Sequence, residues 1–158
     1  VEIKNAIRHH ITISLNDDPA HYRKLSERLE EIIQKYYENW EEQARQLLLF
    51  KEECMTEPTP PEGLTNAEVP FYNLYTEVLE KHFEEDEVPY DEAKKIASEL
   101  VAYLNEVSQI VDFFNKPDEI IRLKRKINDL ILQTDHTNKE LINNITESFM
   151  DLARHKYA

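Results

Sequence analysis

The sequence contains a single glycine, Gly63, among its 158 residues. Glycine supplies the positive φ angles of tight turns and the close backbone approach that phosphate-binding loops require. One glycine therefore excludes a P-loop and a dinucleotide-binding fingerprint, each of which needs several. It also disfavours a β-sheet protein, whose turns and bulges use glycine repeatedly, and so favours an all-α fold.

Cysteine and long apolar runs are almost as scarce. Cys54 is the only cysteine, so no internal disulfide can form, and we expect a reducing, cytoplasmic compartment. No apolar run reaches the roughly 18 residues that a transmembrane helix needs, so no membrane partner is expected. The chain opens Val-Glu-Ile-Lys-Asn-Ala-Ile, without a methionine or a signal-peptide pattern, and we interpret it as an excised part of a larger protein.

Basic charge is scarce as well. There are 19 Lys and Arg against 32 Asp and Glu, a net charge of −13 at pH 7, which opposes nucleic-acid binding by the chain as a whole. The excess acid lies in residues 1–118, with 26 acidic and 12 basic side chains, whereas residues 119–158 hold 6 and 7. The length suits one domain with a real core, and we expect a single helical domain over residues 1–158.

Helical periodicity is abundant, most clearly between Asp18 and Met55. Asp18 suits an N-cap, Pro19 suits the first helical position, and no glycine or proline follows until Pro58. The pattern predicts one unbroken helix, about 50 Å long, on which an irregular bundle of five to six helices is organised. Its predicted buried stripe consists of Tyr22, Leu25, Leu29, Ile32, Ile33, Tyr36, Trp40, Ala44, Leu47 and Leu48.

The other segments predict shorter elements. Residues 1–15 are expected to be helical to about Ile11 and then irregular, and to connect to an upstream part of the parent protein. Three prolines and the only glycine predict a loop at residues 56–64. Four further helices are predicted, two from the capping boxes Thr65-x-x-Glu68 and Thr137-x-x-Glu140, one from Tyr90–Asp91 with a stripe reaching Val111, and one from Pro117.

Candidate chemical sites are few. None of the six histidines follows a Glu-x-x-His or His-x-x-x-His pattern, so no metal site is predicted, although a small metalloenzyme or metal sensor using His9, His10 or His21 is left open. Cys54 has no basic neighbour in the sequence, and we expect a buried or inert thiol. No catalytic residue and no cofactor-binding residue is predicted.

One basic cluster stands out, formed by Arg122, Lys124, Arg125 and Lys126. At about 100° per residue, three of these cations share the side of a helix opposite Leu123 and Ile127 and could contact DNA phosphates. The alternatives are an ordinary solvated face, or pairing with the acidic helix at residues 18–55. The residues by themselves thus predict a helical interaction module without catalytic activity.

Two segments carry a resemblance to a known family. They are Ala6-Ile7-Arg8-His9-His10-Ile11-Thr12 and the stretch from Asn16-Asp17-Asp18-Pro19 to Glu30; the later segment from Ile110 to Pro117, Ile-Val-Asp-Phe-Phe-Asn-Lys-Pro, is similar too. They resemble the C-terminal helical domain of the restriction (R) subunit of type I restriction–modification enzymes. The resemblance covers nearly the whole chain.

The resemblance implies a function that the residues do not reveal by themselves. The R subunit of this family is an ATP- and magnesium-dependent DNA translocase and endonuclease, and its catalytic motifs have no counterpart in this chain. The resemblance implies a non-catalytic assembly module that docks the rest of the R subunit on the methyltransferase and specificity subunits, with duplex DNA as a further partner. The alternative is a helical protein–protein interaction domain of an unrelated larger cytoplasmic protein.

Overall fold

The computed structural model describes residues 2–56, 58–132 and 139–158. Within these ranges the chain is α-helical without any β-strand, which confirms the all-α prediction, and no helix there is long and apolar enough to cross a membrane. The α-helices are α1 (Glu2–Ser14), α2 (Pro19–Lys35), α3 (Trp40–Met55), α4 (Val69–His82), α5 (Tyr90–Val107), α6 (Pro117–Leu132) and α7 (Lys139–Tyr157).

The helices divide into two compact units, unit 1 (Val1–Thr59) and unit 2 (Pro60–Ala158). That residues 1–158 behave as a single domain stays a prediction. In unit 1, each of α1, α2 and α3 packs against the other two. Its core consists of Ile7, Ile11, Leu25, Leu29, Leu47, Phe50 and Cys54.

The prediction of one unbroken helix over residues 18–55 is wrong. Helix α2 ends at Lys35, and the chain turns back through residues 36–39 before α3 begins. Asn39 is the N-cap of α3, and its side-chain oxygen accepts the Glu42 N–H at 3.1 Å. Asparagine is among the best N-cap residues, so a new helix can begin here without any proline or glycine.

The turn converts the long helix into an antiparallel hairpin. The Gln43 side-chain amide donates to the carbonyl of Ile33, in the last turn of α2, and to the carbonyl of Tyr36, which also accepts the Asn39 N–H. At the far end of the hairpin, Arg28 donates two hydrogen bonds to Glu53, at 2.7 and 2.8 Å. A helix about 50 Å long would leave most of its apolar stripe in water, whereas the hairpin buries part of α3 on α2 and α1.

Folding back also changes which face of α3 is buried. Trp40 is 76% exposed and Leu48 is 52% exposed, and Ala44 between them is exposed, so these members of the predicted buried stripe lie on the surface. The buried residues of α3 are Leu47, for which the prediction is confirmed, and Phe50 and Cys54, which the predicted stripe did not include.

Helix α1 is longer than predicted and runs through to Ser14. Ile7 and Ile11, four residues apart, are buried in the core of unit 1, and the Thr12 hydroxyl donates to the Arg8 carbonyl at 2.8 Å. Ile13, which was expected in irregular chain, is therefore helical, and both Ile13 and Leu15 are exposed. A role as connector to an upstream region stays a prediction.

Unit 2 packs α4 against α5 and α7, and α6 against α5 and α7. Three fully buried aromatic rings lie at its centre, with Phe149 of α7 at 5.8 Å from Phe71 and 6.1 Å from Tyr75 between ring centroids. The buried Thr146 hydroxyl donates to the Asn128 side chain at 2.7 Å, which satisfies it between α7 and α6.

The start of α4 differs from the prediction by one turn. The Thr65 N–H donates to the Glu68 carboxylate at 2.7 Å, as the capping box predicts, but the α-helix begins only at Val69. Pro70 lies in the first helical turn, where its missing N–H is tolerated. Before it, Gly63 adopts a φ of +87°, a conformation that glycine reaches without strain.

The later helices begin where the sequence predicts, α5 at Tyr90 and α6 at Pro117. Helix α5 ends at Val107, so the predicted stripe does not reach Val111, which is 76% exposed. Helix α7 is described from Lys139 onward, and the capping residue Thr137 lies outside the described residues.

Candidate functional site

The predicted basic cluster lies on α6, but its side chains separate in three directions. Arg122 donates to Glu119 one turn earlier on the same helix, at 3.1 Å. Lys124 turns to the other side and lies 3.7 Å from Glu147 of α7. The structure therefore brings two of the four cations into contact with carboxylates of unit 2.

The other two cations differ from each other. The Lys126 ammonium lies 5.9 Å from the centroid of the Tyr103 ring on α5, a cation–π contact. Arg125 is exposed and, within the described residues, makes no ion pair. Arg125 is therefore the cation whose charge is least engaged, and the prediction of DNA contact through this cluster stays a prediction.

The Cys54 thiol is buried in the core of unit 1. Burial raises its pKa to about 11, and the neighbouring Glu53 charge acts in the same direction, while Arg28 opposes it. A thiol with this pKa is protonated at neutral pH, and the thiolate is the nucleophilic form. The expectation of a buried or inert thiol is confirmed as regards burial.

Of the three histidines left open as metal ligands, His9 is exposed, and His10 and His21 pack against one aromatic ring. The His10 and His21 rings meet the Tyr22 ring edge-on, with centroids 5.9 and 4.9 Å away. Among residues 2–56, 58–132 and 139–158, no three His, Cys, Asp or Glu side chains are grouped as a metal site requires. His136 lies outside these ranges.

The segment from Ile110 to Pro117 forms the turn between α5 and α6. Asp112 has a φ of +56°, in the left-handed region that non-glycine residues rarely adopt. The turn that follows buries Phe113, which is 4% exposed. A cavity of about 460 Å³ lies beside it, lined also by Arg154 and Tyr157 of α7.

Large apolar side chains are concentrated on the surface of unit 1. Tyr37 and Trp40, at the turn between α2 and α3, are 69% and 76% exposed. They border a groove of about 250 Å³ whose other lining residues are Ile3, Lys4, Ile33, Gln43, Ala44 and Leu47. Exposed tryptophan and tyrosine beside a concave apolar surface are typical of protein interfaces.

The groove continues along α3 as a row of exposed side chains that we call the α3 stripe, Trp40, Ala44, Leu48 and Met55. Sequence reasoning identified most of these positions as apolar and helical but assigned them to the core. The Asn39 cap, followed by Glu42 three residues later, is the signal in the sequence that could have indicated a new helix.

Comparison with known proteins identifies the relatives of this chain. The model of the family described as "Type I restriction enzyme HindI endonuclease subunit-like, C-terminal" matches residues 2–155. A protein of Methanocaldococcus jannaschii, named by inference as the type I restriction enzyme MjaIXP endonuclease subunit, is 25% identical over 174 aligned residues. The alignment covers 100% of this chain and 16% of that protein, so the chain spans a small part of its relative. No solved structure matches the chain.

Proposed function

The chain belongs to this family, the C-terminal region of subunits like the HindI type I restriction endonuclease subunit, and we propose that it is the module by which such a subunit docks on the methyltransferase–specificity core. The observation that carries the proposal is the family match over residues 2–155, since a subunit must have a surface for its partners. The exposed apolar surface of unit 1 supports it. The alternative of an unrelated larger protein is set aside by the family match.

In this proposal the chain itself is not catalytic. The protonated, buried Cys54 thiol is unsuited to nucleophilic attack. ATP and magnesium belong to the parent subunit outside these 158 residues, because the only glycine, Gly63, cannot form a glycine-rich phosphate loop. The nuclease and translocase activities are those of the parent, and the module works beside them in the cytoplasm.

Deletion of residues 1–158 from the parent subunit tests the proposal. We expect the truncated subunit to lose co-purification with the methyltransferase–specificity complex and to lose restriction of DNA in cells. ATP hydrolysis by the isolated truncated subunit serves as the folding control. Assembly and restriction at the level of the intact subunit would contradict the proposal.

A second candidate function is contact with duplex DNA through α6, which the exposed Arg125 favours. Three phosphate contacts give a slope of about −3 in a plot of log affinity against log salt concentration. Because the net charge is −13, we expect such binding to matter only when the parent subunit holds DNA nearby.

A gel shift on duplex DNA with the variants Arg122→Ala and Arg125→Ala tests DNA contact. We expect Arg125→Ala to have the larger effect, since Arg122 already donates to Glu119. Absent binding at low salt, or binding unchanged in both variants, would reject the role.

A further inference from the structure

The α3 stripe occupies one side of its helix. At 100° per residue, its four side chains fall within a sector of about 80°, and at 1.5 Å per residue they extend over about 22 Å. Trp40, Leu48 and Met55 are 76%, 52% and 47% exposed. Lys51 is the only charged residue in this sector. The stripe is therefore a narrow apolar track about four helical turns long.

The track begins in the groove beside Tyr37, which gives the stripe a concave end. The groove, of about 250 Å³, has Ile3, Ile33 and Leu47 in its lining and Trp40 at the start of the track. Tryptophan and tyrosine beside a pocket contribute most to protein–protein affinity, because large rigid rings bury much apolar area at little entropic cost. A track with a pocket at one end suits a helix that carries one large anchor and further apolar residues three or four positions apart.

Negative charge lies along one border of the track. Glu41 and Glu52 lie about 100–120° around α3 from Trp40, next to Leu48, and both are exposed. Within the described residues neither forms an ion pair, whereas the nearby Arg45 is bound by Glu42 at 2.6 Å. The border therefore presents uncompensated carboxylates to a partner, and basic side chains complement them.

We propose that the α3 stripe and its groove bind an amphipathic helix of the methyltransferase–specificity core, with a large apolar anchor in the groove and lysine or arginine facing Glu41 and Glu52. The inference rests on the proposed docking function and assigns that function to a surface. Helix-in-groove docking buries the side chains that unit 1 leaves in water.

Alanine substitution of the stripe tests the assignment with a matched control. The chain offers neighbouring leucines with similar exposure on different sides of α3, Leu48 at 52% and Leu49 at 58%. We expect Trp40→Ala to weaken binding to the purified methyltransferase–specificity complex by at least about 30-fold, and Leu48→Ala by at least about 5-fold. Leu49→Ala should change the affinity by less than about 2-fold. Circular dichroism of each variant verifies that the helices are intact.

Charge reversal tests the acidic border separately. Glu41→Lys should lower the association rate and weaken binding by about 3- to 10-fold at low salt, with a smaller effect at high salt. Glu27→Lys, which makes the same charge change on the exposed side of α2, is the control. Equal effects of the two charge reversals would show that only the overall charge of the chain matters. They would contradict the proposal that lysine or arginine of the partner helix faces Glu41 and Glu52.

Trp40 also supplies a direct readout, because it is the only tryptophan of the chain. A chain labelled with fluorotryptophan has a single tryptophan resonance in fluorine NMR, and we expect that resonance to shift and broaden when the complex binds. If the intact chain does not bind the complex, the docking function and the surface assignment fail together. If the intact chain and Trp40→Ala bind equally, only the surface assignment fails.

A second copy of the chain is the competing occupant of the α3 stripe. Sedimentation of the chain alone measures its oligomeric state and so distinguishes self-association from binding of the methyltransferase–specificity core. A dimer that is lost in Trp40→Ala, together with complex binding that this variant retains, would overturn the assignment in favour of self-association. A monomer whose complex binding needs Trp40 supports the assignment.

Discussion

The two units of this chain bury their apolar side chains to very different extents. Among the described residues, unit 1 buries eight hydrophobic residues and exposes seven large ones, whereas unit 2 buries 24 and exposes three. Three helices enclose less volume than four, so more of each helix remains in water. Unit 2 is thus a self-contained core, and unit 1 carries a surface suited to a partner.

The units also differ in how polar contacts are used. In unit 1, the forked Arg28–Glu53 pair joins α2 to α3 at the surface, where ion pairs contribute little. In unit 2, the residues Glu68 and Thr146 are only 7% and 5% exposed, and the side chains of both are hydrogen-bonded. Buried, satisfied polar groups are costly to disturb, so unit 2 should be the less tolerant of substitution.

The largest expected effect is that of Phe149→Ala in the aromatic centre of unit 2. Removing a fully buried ring that contacts Phe71 and Tyr75 should lower the free energy of unfolding by about 3–5 kcal/mol. Denaturant unfolding followed by circular dichroism measures the loss, with the exposed Val111→Ala as control. If residues 1–158 are one domain, the unfolding midpoint measured by the fluorescence of Trp40 in unit 1 shifts together with the midpoint measured by circular dichroism. A shift of the circular dichroism midpoint alone would indicate two domains.

The next effect concerns Glu68 and pH. Burial acts to raise its pKa, but hydrogen bonds from the Thr65 N–H and the Ser98 hydroxyl outweigh burial, so the pKa is lowered. A lowered folded-state pKa means that the ionised carboxylate stabilises the fold above the unfolded-state pKa, and that this stability is lost as the pH falls through the folded-state pKa.

Glu68→Gln should therefore lower the free energy of unfolding by about 1–2 kcal/mol at neutral pH, and by much less in acid. Unfolding measured in both conditions checks this difference. Glu27→Gln, at an exposed position of unit 1, should be nearly neutral in both. Equal losses for Glu68→Gln at both pH values would contradict the role of the ionised carboxylate.

A smaller effect is expected at the turn that creates the α3 stripe. Asn39→Ala removes the side-chain cap of α3 and should lower the free energy of unfolding by about 1 kcal/mol. Asp18→Ala at the start of α2 is the comparison, where the capping distance to the His21 N–H is longer, at 3.5 Å. Thermal unfolding of both variants measures the difference, and an Asn39→Ala variant as stable as the unmodified chain would show that packing alone fixes the turn.

The smallest effect on folding is expected for Trp40→Ala. Because the side chain is 76% exposed, the free energy of unfolding should change by no more than about 0.5 kcal/mol. Denaturant unfolding followed by circular dichroism provides the measurement, with the buried Leu47→Ala as the contrasting variant of the same helix. A large loss of unfolding free energy in Trp40→Ala would mean that the tryptophan stabilises unit 1 itself. Its exposed apolar surface would then be part of the fold, and the contrast with unit 2 would be weaker.

The helical class, the starts of α2, α5 and α6 and the burial of the Cys54 thiol could all be predicted from the sequence. Each of these depends on local or compositional signals, such as the single glycine, Pro117 in the first turn of α6, and apolar residues at helical spacing. The family resemblance, which the match over residues 2–155 confirms, also lies in the sequence.

The hairpin of α2 and α3 became evident only from the packing of the helices, although Asn39 and Glu42 form a capping pair that marks the start of α3. Periodicity of three and four continues through residues 36–39 as though the helix were unbroken, because an amphipathic pattern records spacing and not direction. Whether an apolar residue is buried depends on which helices are close enough to cover it, and α1 and α2 cover Leu47 but leave Trp40 and Leu48 in water. The surface on which the proposed docking depends is therefore a product of packing between helices, which no local pattern specifies.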